Sequence, residues 1–150
     1  MEAMASDSAA QATQMGLPPR NPRFLVVDDD PEMRALIAHV LRQDGADIVE
    51  AGRGLDLLEW AELTVWASER DRFDAIISDI MMPHVTALNV LRKVPGIPRH
   101  TPVILVTAFG DEETWLKAYE LGANMVLNKP LDLGDFRALV RSVVRRFTTW

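Results

Sequence analysis

The sequence contains no cysteine. Disulfide staples and thiolate metal sites are thereby excluded, and the composition suits a reducing compartment. Basic excess is also missing. Sixteen lysines and arginines stand against 22 aspartates and glutamates, a formal net charge of −6, which leaves no footprint for general nucleic-acid binding. A protein partner, or a small anion held with the help of a metal, fits that balance better. Long apolar runs are absent too: none approaches the roughly 20 residues of a transmembrane helix, and the N-terminus has neither the basic nor the apolar region of a signal peptide. A soluble, cytoplasmic protein without membrane insertion is expected. Its 150 residues suffice for one domain with a sizeable core.

What is present divides unevenly. Residues 1–21 are rich in Ala, Ser, Gln and Pro and have no hydrophobic period, while Pro18, Pro19 and Pro22 stop any helix entering the fold. A flexible tail over 1–22 and one folded domain over 23–150 are expected. From there strands and helices alternate. Strands are read at 24–27, 47–51, 73–78, 103–107 and 125–128, and helices near 31–43, 55–69, 88–93, 111–121 and 133–147. Five of each in alternation predict a doubly wound parallel α/β sheet with helices on both faces. Pro31 suits the first position of a helix with Glu32 near its positive end, Met33, Leu36, Ile37, Val40 and Leu41 keep helical spacing, and Gly45 closes it. In the last helix Phe136, Leu139, Val140, Val143 and Phe147 form an apolar stripe. Arg137, Arg141 and Arg145 form a ridge read as a solvated face, with partner docking as the alternative.

The chemistry collects at strand ends. The run Phe73-Asp74-Ala75-Ile76-Ile77-Ser78 ends on Asp79 and is followed by Met81-Met82-Pro83; the first strand ends on Asp28, Asp29 and Asp30, the fourth on Thr107, the fifth on Lys129-Pro130. Open α/β sheets keep their sites at this carboxyl edge. A carboxylate there can accept a phosphoryl group if developing charge is neutralised. Asp79 is the candidate nucleophile. Crowded carboxylates tolerate one another when a hard cation sits among them, and Asp28 and Asp29 would make a pocket for Mg²⁺. Thr107 can donate a hydroxyl to a phosphoryl oxygen and Lys129 can place a charge beside another. Singly, each residue is an ordinary turn former, structural hydroxyl or surface charge; their joint order is the signal.

That order, Asp28-Asp29, Asp79-x-x-x-Pro83, Thr107-Ala108 and Lys129-Pro130, each after its own strand, resembles the receiver domain of bacterial two-component response regulators over about 23–146. The resemblance implies a flavodoxin-like sheet in the order 2-1-3-4-5. It implies Asp79 as phosphoacceptor assisted by Thr107 and Lys129, and a Mg²⁺ ion held directly by Asp29, Asp79 and the Met81 backbone carbonyl and mostly through water by Asp28. Ala108 leaves room for the phosphoryl group, and the Lys129-Pro130 bond is expected to be cis. The implied partners are a histidine kinase or histidine phosphotransfer protein and a downstream protein. The protein is read as a stand-alone phosphoacceptor, not an enzyme beyond its own phosphorylation and dephosphorylation, that signals by protein contact. Two further readings are a receiver-like module acting without phosphorylation and the receiver part of a larger regulator or hybrid kinase. Asp28-x-Asp30 also matches the nucleophile motif of haloacid-dehalogenase-type phosphatases, but Glu32 stands where they carry Thr or Val, and there is little room for a cap domain.

The sequence departs from the family in three places. His84-Val85-Thr86-Ala87 replaces a Gly-rich turn, so His84 must take a left-handed backbone or the loop must change, while Thr86 can still cap a helix. Val126 replaces the aromatic switch residue, so any relay from Thr107 is weakened or rerouted through Phe109, Trp115 or Tyr119. The segment 52–72 is long, and Leu55, Leu57, Leu58, Trp60, Leu63, Val65 and Trp66 exceed one core stripe. Leu58, Ala61 and Val65 are expected inward, and Trp60 and Leu63 partly outward with Leu57 as a self-association or partner surface; the alternative is that both tryptophans fold over the rim of the core.

Overall fold

Strand, helix, strand repeats along nearly all of the chain that the computed structural model describes, residues 20–144. The remainder of the expected tail, 1–19, and the last residues, among them Arg145 and Phe147, lie outside the described residues. The elements are β1 (Arg23–Val27), α1 (Pro31–Gln43), β2 (Asp47–Ala51), α2 (Gly54–Trp66), β3 (Ala75–Asp79), α3 (Ala87–Lys93), α4 (Ile97–His100), β4 (Val103–Thr107), α5 (Glu112–Glu120), β5 (Met125–Asn128) and α6 (Leu133–Val143). All strand pairs are parallel, in the order β2-β1-β3-β4-β5, the flavodoxin-like order that was expected.

Every residue of β3 and β4 is buried, as central parallel strands covered on both faces require. Their side chains alternate between two cores. Leu25, Val27, Ile76, Val103, Leu105 and Val126 face one side, where α2, α3, α4 and α5 contribute Leu57, Ala61, Val90, Leu91, Ile97 and Ala118. Phe24, Val26, Ile77, Ile104 and Val106 face the other, covered by Ile37 and Leu41 of α1 and Phe136 and Val140 of α6. Burial of one such side chain contributes about 1.5–3 kcal/mol, so the alternation fixes the register.

Helix ends follow local chemistry. Pro31 opens α1, and the Asp30 carboxylate caps it by accepting from the Glu32 and Met33 amides. Gly45 follows that helix with a φ of 93°. The Thr86 side chain caps α3 in a reciprocal pair with Asn89, and His84 takes the left-handed backbone with a φ of 71°.

Several expectations are corrected. The described residues hold six helices, not five, because the turn Val94-Pro95-Gly96 leads into the single-turn α4, whose Ile97 is buried. Leu36 is 42% exposed and off the α1 stripe. The core face of α2 is Gly54, Leu57, Ala61 and Thr64, rotated from the expected one, so Leu57 points in. Thr64 earns that place by accepting the Phe73 amide. Trp60 also turns inward, edge-on to Phe73 at 5.4 Å between ring centres, whereas Leu55, Leu63 and Trp66 are exposed, Trp66 by 89%. Arg137 is more than a solvated ridge residue, since its guanidinium grips both oxygens of the buried Asp44 and ties α6 to the end of α1. Arg20, expected to belong to the tail, is tied to the domain, its guanidinium bonding the Asp74 carboxylate at 2.8 Å and the Arg72 carbonyl at 2.9 Å.

Candidate functional site

The carboxyl ends of β1, β3, β4 and β5 lie side by side, so the register decides which side chains meet. Asp79 is the last residue of β3 and pairs with Val106, one short of Thr107; Thr107 pairs with Asn128, one short of Lys129. Asp28 follows β1 directly and is 1% exposed; Asp79 is 7% exposed. The Lys129 Nζ bridges them, donating to Asp28 Oδ2 at 3.0 Å and to Asp79 Oδ2 at 3.2 Å. The other oxygen of each is also engaged: Asp28 Oδ1 accepts the Asp30 amide at 2.9 Å, and Asp79 Oδ1 accepts the Met81 amide at 3.2 Å. Asp29 is exposed on the rim, yet one carboxylate oxygen from each of Asp28, Asp29 and Asp79 lies within 4.8 Å of the others.

Two buried carboxylates beside one ammonium leave excess negative charge. Burial first, and the charge of Asp28 second, push the Asp79 carboxyl above the ordinary aspartate range, against the opposing pull of Lys129 and the Met81 amide. For Lys129, burial works against the charge, but bonds and attraction to Asp28 and Asp79 outweigh it and hold the ammonium above its usual range. The donor set is all oxygen, at the ends of rigid strands, and carries more charge than one lysine balances. Those features fit a hard divalent cation.

The structure brings together Asp28, Asp29, Asp79 and Lys129. Thr107 stands next to them, fully buried, its carbonyl accepting the Lys129 amide at 2.9 Å, while its Oγ1 accepts the Phe109 amide at 3.1 Å. Met81 sits two residues past Asp79 and is half exposed, its amide donating to Asp79 Oδ1. Ala108 is exposed beside Thr107, and the Lys129-Pro130 bond is cis, as expected. Asp30, third in the acidic run, serves α1 as its cap. Two residues escaped the sequence reading. The Arg34 guanidinium donates to the Asp28 carbonyl at 2.9 Å from the first turns of α1, and the buried Ser78 hydroxyl donates to the Asp79 carbonyl at 2.9 Å. Arg34 was detectable in principle, four residues after the cap Asp30 and so above the β1 end.

The family model for the response regulator receiver domain matches residues 24–141. This chain belongs to the response regulator receiver family. Among curated relatives, the receiver is 32% identical over 127 residues to the transcriptional regulatory protein CpxR of Escherichia coli (strain K12), covering 83% of this chain and 50% of that one. It thus spans about half the length of the curated relatives it matches. Among solved structures it resembles a response regulator receiver domain protein from Clostridium thermocellum, with 26% identity, a TM-score of 0.72, and coverage of 83% of this chain and 95% of that one. It also resembles the chemotaxis protein CheY4 of Vibrio cholerae, with 26% identity, a TM-score of 0.71, and coverage of 83% and 100%. The receiver's matched segment contains Asp28, Asp29, Asp79, Thr107 and Lys129 together. No helix among its described residues is long and apolar enough to cross a membrane.

Proposed function

We propose that this receiver accepts a phosphoryl group on Asp79 from a phosphohistidine of a histidine kinase or phosphotransfer protein. The observation that carries the reading is the Lys129 ammonium seated between the buried carboxylates of Asp28 and Asp79 beside the acidic cluster with Asp29. An Asp79 carboxylate oxygen attacks phosphorus, the phosphorus–nitrogen bond breaks, and an acyl phosphate forms. Lys129 stays within reach of the transferred oxygens, and Thr107 turns its hydroxyl to donate to another. Asp28, Asp29 and Asp79, with the Met81 carbonyl, would hold Mg²⁺, which when bound neutralises charge on the phosphoryl oxygens. The protein is a phosphoacceptor that takes part in its own phosphorylation and dephosphorylation, acts in the cytoplasm, and passes the signal on by protein contact. The curated relatives carry about as much chain again outside the matched part, so the activity proposed is that of the receiver itself.

The test is incubation with a small phosphodonor and Mg²⁺, followed by intact-mass measurement. Wild type should gain one phosphoryl group, Asp79→Asn none, and Asp29→Ala should lose the Mg²⁺ dependence along with most of the gain. A wild type that binds Mg²⁺ but stays unmodified would favour a module that signals without phosphorylation.

A further inference from the structure

We propose that Trp115 is a positioning residue that carries the state of Thr107 to the outer surface of α5; the proposal rests on the acceptor reading of Asp79. The junction is at Gly110, between β4 and α5. A Cβ built there would lie 2.4 Å from Trp115 Nε1, 2.7 Å from Thr107 Cγ2 and 2.8 Å from Asn128 Oδ1. Side chains from β4, β5 and α5 therefore converge on one α-carbon with no room for a methyl group. The Gly110 backbone is therefore the common neighbour through which a movement of one can reach the others.

The indole N–H is the unsettled group in this cluster. Trp115 Nε1 is buried and has no hydrogen-bond partner among the described residues. A buried donor left unpaired carries the full cost of its desolvation, so a rearrangement that supplies an acceptor is favoured. Asn128 Oδ1 lies across the same α-carbon and can be that acceptor. One helical turn on, Tyr119 fixes the far end of α5, its hydroxyl accepting the Val126 amide at 3.1 Å. The tyrosine ring thus meets β5 at the residue where the family's own ring is replaced by valine. Helix α5 is anchored at Tyr119 and rests on Gly110 at Trp115.

Rotation of the Thr107 side chain toward a phosphoryl oxygen on Asp79 draws Oγ1 away from the Phe109 amide, a bond of 3.1 Å, and swings Cγ2 off Gly110. The Gly110 backbone then settles, and the indole N–H closes on Asn128 Oδ1. Trp115, Leu116 and Tyr119 line an open groove with Asp111, Glu112 and Asn128, so the movement reshapes a surface that a partner can read.

The chain has four tryptophans, and fluorine NMR of the full chain labelled with fluorotryptophan separates them once Trp115→Phe identifies one resonance. A small phosphodonor with Mg²⁺ should shift the Trp115 resonance and leave those of Trp60 and Trp66 in place. The shift should shrink in Asn128→Ala. It should vanish in Thr107→Val protein that intact mass shows to be phosphorylated. Trp115→Phe should still gain the phosphoryl mass. An unmoved Trp115 resonance in phosphorylated wild type overturns the proposal, as does a full shift in phosphorylated Thr107→Val. Absence of any mass gain in wild type overturns the acceptor reading and this proposal with it, which the mass spectrum distinguishes from the first two results.

Discussion

Replacing Gly54 by alanine pits helix propensity against space. Gly54 is the first residue of α2, and in an open helix alanine is favoured over glycine by about 1 kcal/mol. Here the new Cβ would lie 2.0 Å from the Val85 carbonyl oxygen and 2.8 Å from the Val85 carbonyl carbon. The obstacle is backbone, so no side-chain rotation relieves it. Ordinary contact needs the β3–α3 loop or the start of α2 to retreat by about an ångström, and overpacking of this kind costs about 1–3 kcal/mol. Retreat is resisted because the loop is held at both ends, by the Met81 amide on Asp79 and by the capping pair of Thr86 and Asn89. The net expectation is a loss of up to about 2 kcal/mol, a fall in Tm of up to several degrees for a domain of this size. Urea unfolding followed by circular dichroism measures it. A gain of about 1 kcal/mol would show that α2 does not press on Val85 and would refute the packing described here.

Three further outcomes follow from the same structure. His84 bears a φ of 71°, a left-handed backbone costing a residue with a Cβ about 1–2 kcal/mol, so His84→Gly should stabilise by up to about 1 kcal/mol in urea titration after glycine's greater unfolded freedom is subtracted; a loss would mean that the exposed imidazole makes a needed contact. Trp60→Ala should cost about 2 kcal/mol, less than a fully buried tryptophan, by removing the edge contact to Phe73, while Trp66→Ala should change stability by less than about 0.5 kcal/mol. Equal effects in the two unfolding curves would contradict the orientation of α2. Asp79 has its folded carboxyl pKa raised, so the native state binds that proton more tightly than the unfolded chain, and its contribution to stability is lost as pH rises from the ordinary aspartate range through the folded value. Asp79→Asn should therefore unfold at a higher temperature than wild type near neutral pH in the presence of a chelator, and the difference should vanish below the ordinary aspartate range; a variant less stable at neutral pH would show that the Lys129 contact outweighs the burial.

The sheet was legible because four of its five strands are short apolar runs ending in a polar group, and the acceptor cluster because those polar groups share one edge. Asp28, Asp79 and Lys129 could be placed together once the family resemblance supplied the strand order, since parallel register then brings neighbouring ends into line. The facing of α2 was not legible. Seven apolar residues on one helix offer more than one plausible stripe, and Thr64, a polar residue, wins a core place only because the Phe73 amide needs its oxygen. Helix α4 was missed because a single turn has no period to read. Arg137 was read as a surface ridge because its partner Asp44 is 93 positions away, a pairing that local spacing cannot reveal. The loop at His84 went the other way: the missing glycine pointed to the residue that carries the strained backbone.

Mapping the phosphoryl group to a residue tests the central claim most directly. Wild type and Asp79→Asn, treated side by side with a small phosphodonor and Mg²⁺, are digested under conditions that preserve an acyl phosphate and sequenced by mass spectrometry. The account predicts modification of the peptide spanning Ala75 to Met82, localised to Asp79 and absent from the variant. Equal modification of the two proteins, or a phosphoryl group on Asp28 or Asp29 in wild type, would contradict it.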